Sequence, residues 1–178
     1  LAVQFYKNTL QSFPDLVRDN SLVYLRLARA CERLNNYYDA LRYYEDLLSK
    51  YPQSSGVSEA FFKTGALLHK IGKYGPAADK LLAYLMKYRE GTFAKQAFYL
   101  VADSYYKTQQ SASAEVWFRD AQKKWPDFRG VPKEVLKDMG YHKYTLRSYG
   151  DACKIFSFYA NVYPNDEKTI NVVKELSE

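Results

Sequence analysis

Large and small apolar residues alternate with polar ones along this chain at helical spacing. Tyr24 is followed four positions later by Ala28, and the same large-then-small pair recurs as Phe61 and Gly65, Phe98 and Ala102, and Leu136 and Gly140. After each comes a stretch in which alanine leads a large residue by four: Ala40 and Tyr44, Ala77 and Leu81, Ala114 and Phe118, Ala152 and Phe156. A step of four keeps both members on one face of a helix. The pattern therefore predicts first helices over about 21–34, 58–71, 95–109 and 133–147, and second helices over about 37–50, 74–88, 111–124 and 149–162. The segments between them, LNNYY, IGKYG, TQQSA and LRSYG, are short. Gly72 suits a helix C-terminal cap, and Pro76 and Pro132 suit a first helical turn.

The helix pairs repeat. Aromatic-proline dipeptides stand at Phe13-Pro14, Tyr51-Pro52, Trp125-Pro126 and Tyr163-Pro164, and the prolines fall 38, 74 and 38 residues apart. The middle interval is a double step, and Tyr88-Arg89 stands where its midpoint falls. Twelve residues before each of these five points is an alanine: Ala2, Ala40, Ala77, Ala114 and Ala152. The small columns mark where two helices cross closely, because a larger side chain there would push the backbones apart. Proline stops each second helix by forcing the preceding residue out of the α region. The aromatic before it is expected to pack on the first helix of the following unit. One helix pair cannot bury its apolar face alone, so neighbouring pairs must stack.

Composition adds little to this. The chain has 178 residues, 47% hydrophobic and 26% charged, with 18 tyrosines, 8 glycines and 6 prolines. Scarce glycine and proline fit an all-α protein. The net charge of +6 is spread out, which reads as solvated helix faces with some bias toward anionic partners. Cys31 and Cys153 are isolated and read as two small buried hydrophobes, so no disulfide framework is expected. No apolar run reaches the roughly 18 residues of a membrane-spanning helix.

The runs YLRLARAC…DALRYYEDLLSKYP, FFKTGALL…AADKLLAYLMKY, FYLVADSY…AEVWFRDAQKKWP and LKDMGYHK…DACKIFSFYANVYP resemble the tetratricopeptide repeat (TPR) family over nearly the whole chain. The period of 37 to 38, Thr64 and Val101 at usual leucine positions, and Lys143 at a usual aromatic position depart from the family pattern. The resemblance implies an all-α, right-handed superhelical solenoid of antiparallel helix pairs. Units fall at 21–54, 58–91, 95–128 and 133–166, preceded by half a unit at 1–14 and followed by the start of one at 167–178. A chain that begins and stops in mid-unit reads as part of a longer repeat protein. The repeat style is similar to bacterial cell-envelope TPR proteins such as the outer-membrane-protein assembly lipoprotein and the Tol-Pal-associated coordinator. That implies a periplasmic or membrane-attached adaptor, with a cytoplasmic setting left open.

In the family the first helices line a concave, ligand-facing surface. Carried onto this chain, the matching positions give Arg29, Arg33, Phe62, His69, Lys70, Tyr99, Tyr106, Lys107, Tyr141 and Tyr144. Arg33, Lys70 and Lys107 would form a ladder of one cation per unit, beside a track of Phe62, Tyr99, Tyr106, Tyr141 and Tyr144. Together they suit a protein or peptide with acidic and apolar side chains. A basic residue near a helix C-terminus also offsets the helix dipole, so helix capping is the competing reading of the ladder. Leu25 and Arg29 stand where chaperone-tail binders of the family carry lysine and asparagine, which argues against that ligand.

No catalytic motif is present. HExxH, CxxC and a phosphate-binding GxxxxGK[ST] are absent, and His69 and His142 lie in different units without metal-ligand spacing. No cofactor, metal or enzymatic activity is expected. A nucleic-acid-binding helical repeat and a structural spacer are the alternatives. Glu32, Glu59, Asp103, Glu134 and Asp138 interrupt any basic groove and argue against nucleic acid.

Overall fold

The computed structural model describes residues 2–12 and 20–166, and side chains are described within these except at Ala2, Lys7, Thr9, Leu10 and Asn20. Phe13-Pro14 and the half-unit at 167–178 lie outside the described residues. The described residues form helices joined by turns and short irregular connections. The helices are α1 (Ala2–Ser12), α2 (Asn20–Arg33), α3 (Tyr37–Lys50), α4 (Val57–Lys70), α5 (Tyr74–Lys87), α6 (Ala94–Lys107), α7 (Ser111–Lys124), α8 (Lys133–Thr145) and α9 (Tyr149–Val162). The eight helices expected from residue 21 onward are all present, with bounds shifted by a residue or two.

The chain forms two compact units, residues 1–93 and 94–178. In the first, α2 pairs with α3 and α4 with α5, α3 packs broadly against α4, and α1 lies on α2. In the second, α6 pairs with α7 and α8 with α9, and α8 meets α6 and, more lightly, α7.

The small columns sit at the crossings as expected. Ala28, Ala40, Ala77, Ala102, Ala114 and Ala152 are all buried. A Cβ on Gly65 would stand 2.6 Å from Leu81 Cγ, and one on Gly140 would enter the Phe156 ring. The large residue of the second helix thus occupies the space that the small residue of the first leaves open.

Four equivalent turns join the helices of each pair. Asn35, Gly72, Gln109 and Arg147 all have positive φ, between 57° and 81°. In each the next N–H reaches back to the carbonyl five residues earlier, as in Asn36 N to Cys31 O and Ser148 N to Lys143 O. This is the 6→1 closure of a Schellman turn.

The residues Tyr51, Tyr88, Trp125 and Tyr163 cap the second helices with nearly the same backbone, φ between −132° and −123°. Tyr88 keeps this geometry without a following proline, so helix termination does not depend on proline. Two of these rings have ring partners within their own pair, which the pattern did not anticipate: Tyr51 lies 5.8 Å from Tyr24, and Trp125 lies 5.3 Å from Phe98, each on the first helix of its own pair. The helices of a pair are antiparallel, so the end of the second returns beside the start of the first. The reading of Cys153 is corrected: Cys31 is buried, but Cys153 is exposed.

Candidate functional site

In the first unit the candidates separate. Arg26, Arg29 and Arg33 stand at steps of three and four on α2 and share one face. With Val3 and Tyr6 of α1, Ala30 and Leu34, they line an open cleft of about 430 Å³. Arg29 is already engaged: its Nε donates to Glu59 Oε1 at 2.7 Å, and its terminal nitrogen makes a second contact with the same carboxylate. That bond raises the guanidinium pKa above its ordinary value. Among the described residues Arg26 and Arg33 have no acidic partner.

The other first-unit candidates lie elsewhere. Lys70 Nζ sits 4.5 Å from the Tyr37 ring centre, and His69 packs edge-on to Tyr74 at 5.2 Å. Phe62 is 4% exposed and stacks face to face on Phe93 at 4.7 Å. It is a core residue, and its reading as a ligand-facing ring is corrected. Beside the cleft, Glu32 accepts from Lys63 Nζ at 2.8 Å and from the Tyr44 hydroxyl at 3.2 Å. Burial, with Glu32 next to it, drives the Tyr44 pKa far upward.

In the second unit Tyr106 and Lys107 are brought together. They line an open depression of about 440 Å³ with Gln109, Ser111, His142 and Thr145. Lys107 Nζ is 2.6 Å from Asp138 Oδ2, so this rung of the ladder is ion-paired inside the fold. Tyr99 is fully buried with its hydroxyl 3.4 Å from Trp125 O, and it too is corrected from ligand-facing to core. Burial raises its pKa. Tyr141 packs on Phe156 at 5.2 Å, and Tyr144, which is exposed, on Tyr149 at 5.4 Å. The five rings expected to form one track therefore divide between core and surface.

A buried polar cluster emerges that the sequence reading did not assemble. Lys143 and His142 of α8 are 4% and 1% exposed, and both reach Glu115 of α7. Lys143 Nζ is 2.6 Å from Glu115 Oε1 and His142 Nε2 is 3.2 Å from Glu115 Oε2. Asp103 of α6 and Asp138 of α8 are buried nearby in the same joint. Burial raises the Asp138 pKa, with Lys107 opposing and Asp103 adding to the rise. The available signal was Lys143 at a position where the repeat pattern expects an aromatic ring.

Among the described residues no group of three or more His, Cys, Asp or Glu is placed to hold a metal ion. None of the described helices is long and apolar enough to cross a membrane.

With that geometry in hand, comparison with known proteins is informative about fold. A tetratricopeptide repeat family model matches residues 22–64. No curated protein matches the sequence. Among solved structures, MamA RS-1 ArsTM double mutant superposes with a TM-score of 0.69 at 17% identity, covering 93% of this chain and 85% of that one. A tetratricopeptide repeat protein from Parabacteroides merdae gives a TM-score of 0.70 at 16% identity, covering 98% of this chain and 64% of that one. MamA 41-end from Desulfovibrio magneticus RS-1 gives 0.64 at 16% identity, covering 93% and 97%. The repeated helix pairs, the match over residues 22–64 and these structural neighbours identify an all-α helical-repeat fold of the tetratricopeptide type.

Proposed function

We propose that the chain is a non-enzymatic interaction scaffold that binds a protein or peptide segment bearing acidic and apolar side chains. The observation that carries this reading is the cleft between α1 and α2, where Arg26 and Arg33 flank Val3, Tyr6 and Leu34. A planar guanidinium takes a carboxylate in a two-point contact, and the apolar floor accepts the residues beside it. Tyrosine and arginine are the residue types that most often anchor interfaces. Arg29 holds Glu59 and supports the cleft wall. Lys107 is occupied by Asp138, so the proposal rests on Arg26 and Arg33 and not on a three-rung ladder. Tyr106, Tyr141, Tyr144, His69 and Lys70 remain secondary candidates. The repeat style extends the proposal to an adaptor in a bacterial envelope assembly.

The test is selection from a displayed random-peptide library against the wild type and an Arg26→Glu, Arg33→Glu variant. Peptides that combine Asp or Glu with apolar residues are expected to be enriched on the wild type. The double reversal is expected to weaken them by about tenfold or more, equivalent to about 1.4 kcal/mol. Equal affinity for both proteins would remove the cleft from the proposal. Retention on a polyanion resin that falls steeply with salt would favour a nucleic-acid ligand instead. For the envelope setting, recovery of the protein in the cytoplasmic fraction alone would overturn it.

A further inference from the structure

The cluster at Glu115 has an unequal charge count. One carboxylate on α7 faces a buried lysine and a buried histidine, both from α8. At neutral pH one cation meets one anion, and His142 completes the contact uncharged. His142 is enclosed on other sides by aromatic rings: Tyr106 of α6 at 5.5 Å and Phe118 of α7 at 5.7 Å. Lys107 of α6 lines the same depression, its ammonium paired with Asp138. Among the described residues no ring or charged group of α9 is paired with the imidazole.

We propose that this contact is an acid-sensitive latch, holding the α8–α9 pair against α6–α7 at neutral pH and loosening when His142 takes a proton. Protonation would place two buried cations on a single carboxylate, and water solvates the extra charge better than this site does. Burial lowers the His142 pKa, Glu115 opposing it and Lys143 adding to it. The closed joint therefore holds the imidazole neutral below the ordinary value of 6.5, where an opened joint would bind a proton. The latch is at full strength above that value and weakens as pH falls below it.

Asp138 acts in the opposite direction. Its raised pKa means that the closed joint keeps a proton that an opened one releases. Acidification through the window between that raised value and 3.8 stabilises closure. The groups facing Asp138 are Lys107, Asp103 and Tyr106 of α6 and Lys137 of its own helix. As pH falls the two groups thus act against each other, His142 loosening the joint and Asp138 tightening it.

Hydrogen exchange on the full chain, corrected for intrinsic rates, tests the latch between about pH 7.5 and about pH 5.5. Protection of α8 and α9 is expected to fall by up to about tenfold per pH unit, the limit for one linked proton. His142→Gln is expected to abolish the fall, and His69→Gln to leave it unchanged. Lys143→Met is expected to reverse its sign, because a protonated His142 then supplies the single cation that Glu115 needs. Unchanged protection of α8 and α9 in the wild type would overturn the proposal, without requiring any variant to fold. Persistence of the fall in His142→Gln would overturn it equally.

Discussion

The two units use one repeat pattern to build two different joints. In the first unit the second helix pair is stacked on an apolar surface. Leu25, Leu27, Tyr43, Leu47, Val57, Ala60 and Leu67 form one cluster, and the bare Cα of Gly56 lets Leu25 and Leu47 close over it. Charged pairs such as Arg29–Glu59 and Lys63–Glu32 stay partly exposed at the edge. In the second unit the corresponding joint buries charge. Asp103, Asp138, His142 and Lys143 are all within it, alongside Val131, Val135 and Met139. Exposed ion pairs contribute little because water screens them. Buried ones contribute little net stability when intact but cost heavily when one partner is lost. The first joint is therefore tolerant of charge changes, while the second depends on them.

The largest expected effect breaks this contrast directly. Glu115→Ala leaves Lys143 buried without its carboxylate, and a loss of about 3–5 kcal/mol is expected. Glu32→Ala removes the equivalent bridge to Lys63 in the first unit, where a partly exposed pair contributes about 0–1 kcal/mol. Its hydrogen bond from the Tyr44 hydroxyl adds about 1 kcal/mol more. Urea unfolding of both variants gives the comparison. Equal losses would mean that the two joints share one energetic character. Replacing Glu115 and Lys143 together by leucine is expected to recover most of the loss, since an apolar pair carries no desolvation cost.

Why the contrast was not legible from the pattern follows from what a pattern records. The crossings were legible because they are local: Gly140 and Phe156 lie sixteen residues apart in one helix pair, and the volume of one dictates that of the other. Lys143 and Glu115 belong to neighbouring pairs, and their meeting depends on how one pair rotates against the next. Column position cannot supply that rotation. Phe62 and Tyr99 failed as ligand-facing residues for a related reason. The period of 37 to 38 is longer than the family pattern and places Phe93 between two repeat units, while Tyr99 turns to the end of its own repeat unit. Phe93 covers Phe62, and the Trp125 segment closes on Tyr99. Of the candidate site, Arg29 and Arg33 came from their place in the repeat. Arg26, Val3 and Tyr6 appear only once α1 is laid against α2.

A second prediction sharpens the comparison at the crossings. Alanine at Gly140 would drive its methyl into the Phe156 ring, which is itself wedged against Tyr141. Alanine at Gly65 meets Leu81, a more adaptable side chain, though its Cγ and backbone nitrogen are also close. Gly140→Ala is expected to cost about 2–3 kcal/mol and Gly65→Ala about 1–2 kcal/mol, the range for overpacking. A small gain in helix propensity offsets part of each. Thermal unfolding of the two single variants measures the difference, and a neutral Gly140→Ala would show that the second unit repacks more freely than its contacts indicate.

The smallest expected effect concerns the turns, where the units differ again. Residues with positive φ are Asn35 and Gly72 in the first unit, two types that accept this conformation readily. In the second unit the same position holds Gln109 and Arg147, which do not. The Schellman closure is retained in both cases, so the strain is carried by the residue and not relieved by the turn. Arg147 is the cleaner probe, because it is exposed and does not line the depression that includes Gln109. Arg147→Gly is expected to stabilise the protein by about 0.5–1 kcal/mol, the strain relief exceeding glycine's added freedom in the unfolded chain. Asn35→Gly is expected to change stability by only a few tenths of a kcal/mol, since asparagine already tolerates the turn. A gain at 147 with none at 35 would show that the second unit carries local strain that the first avoids.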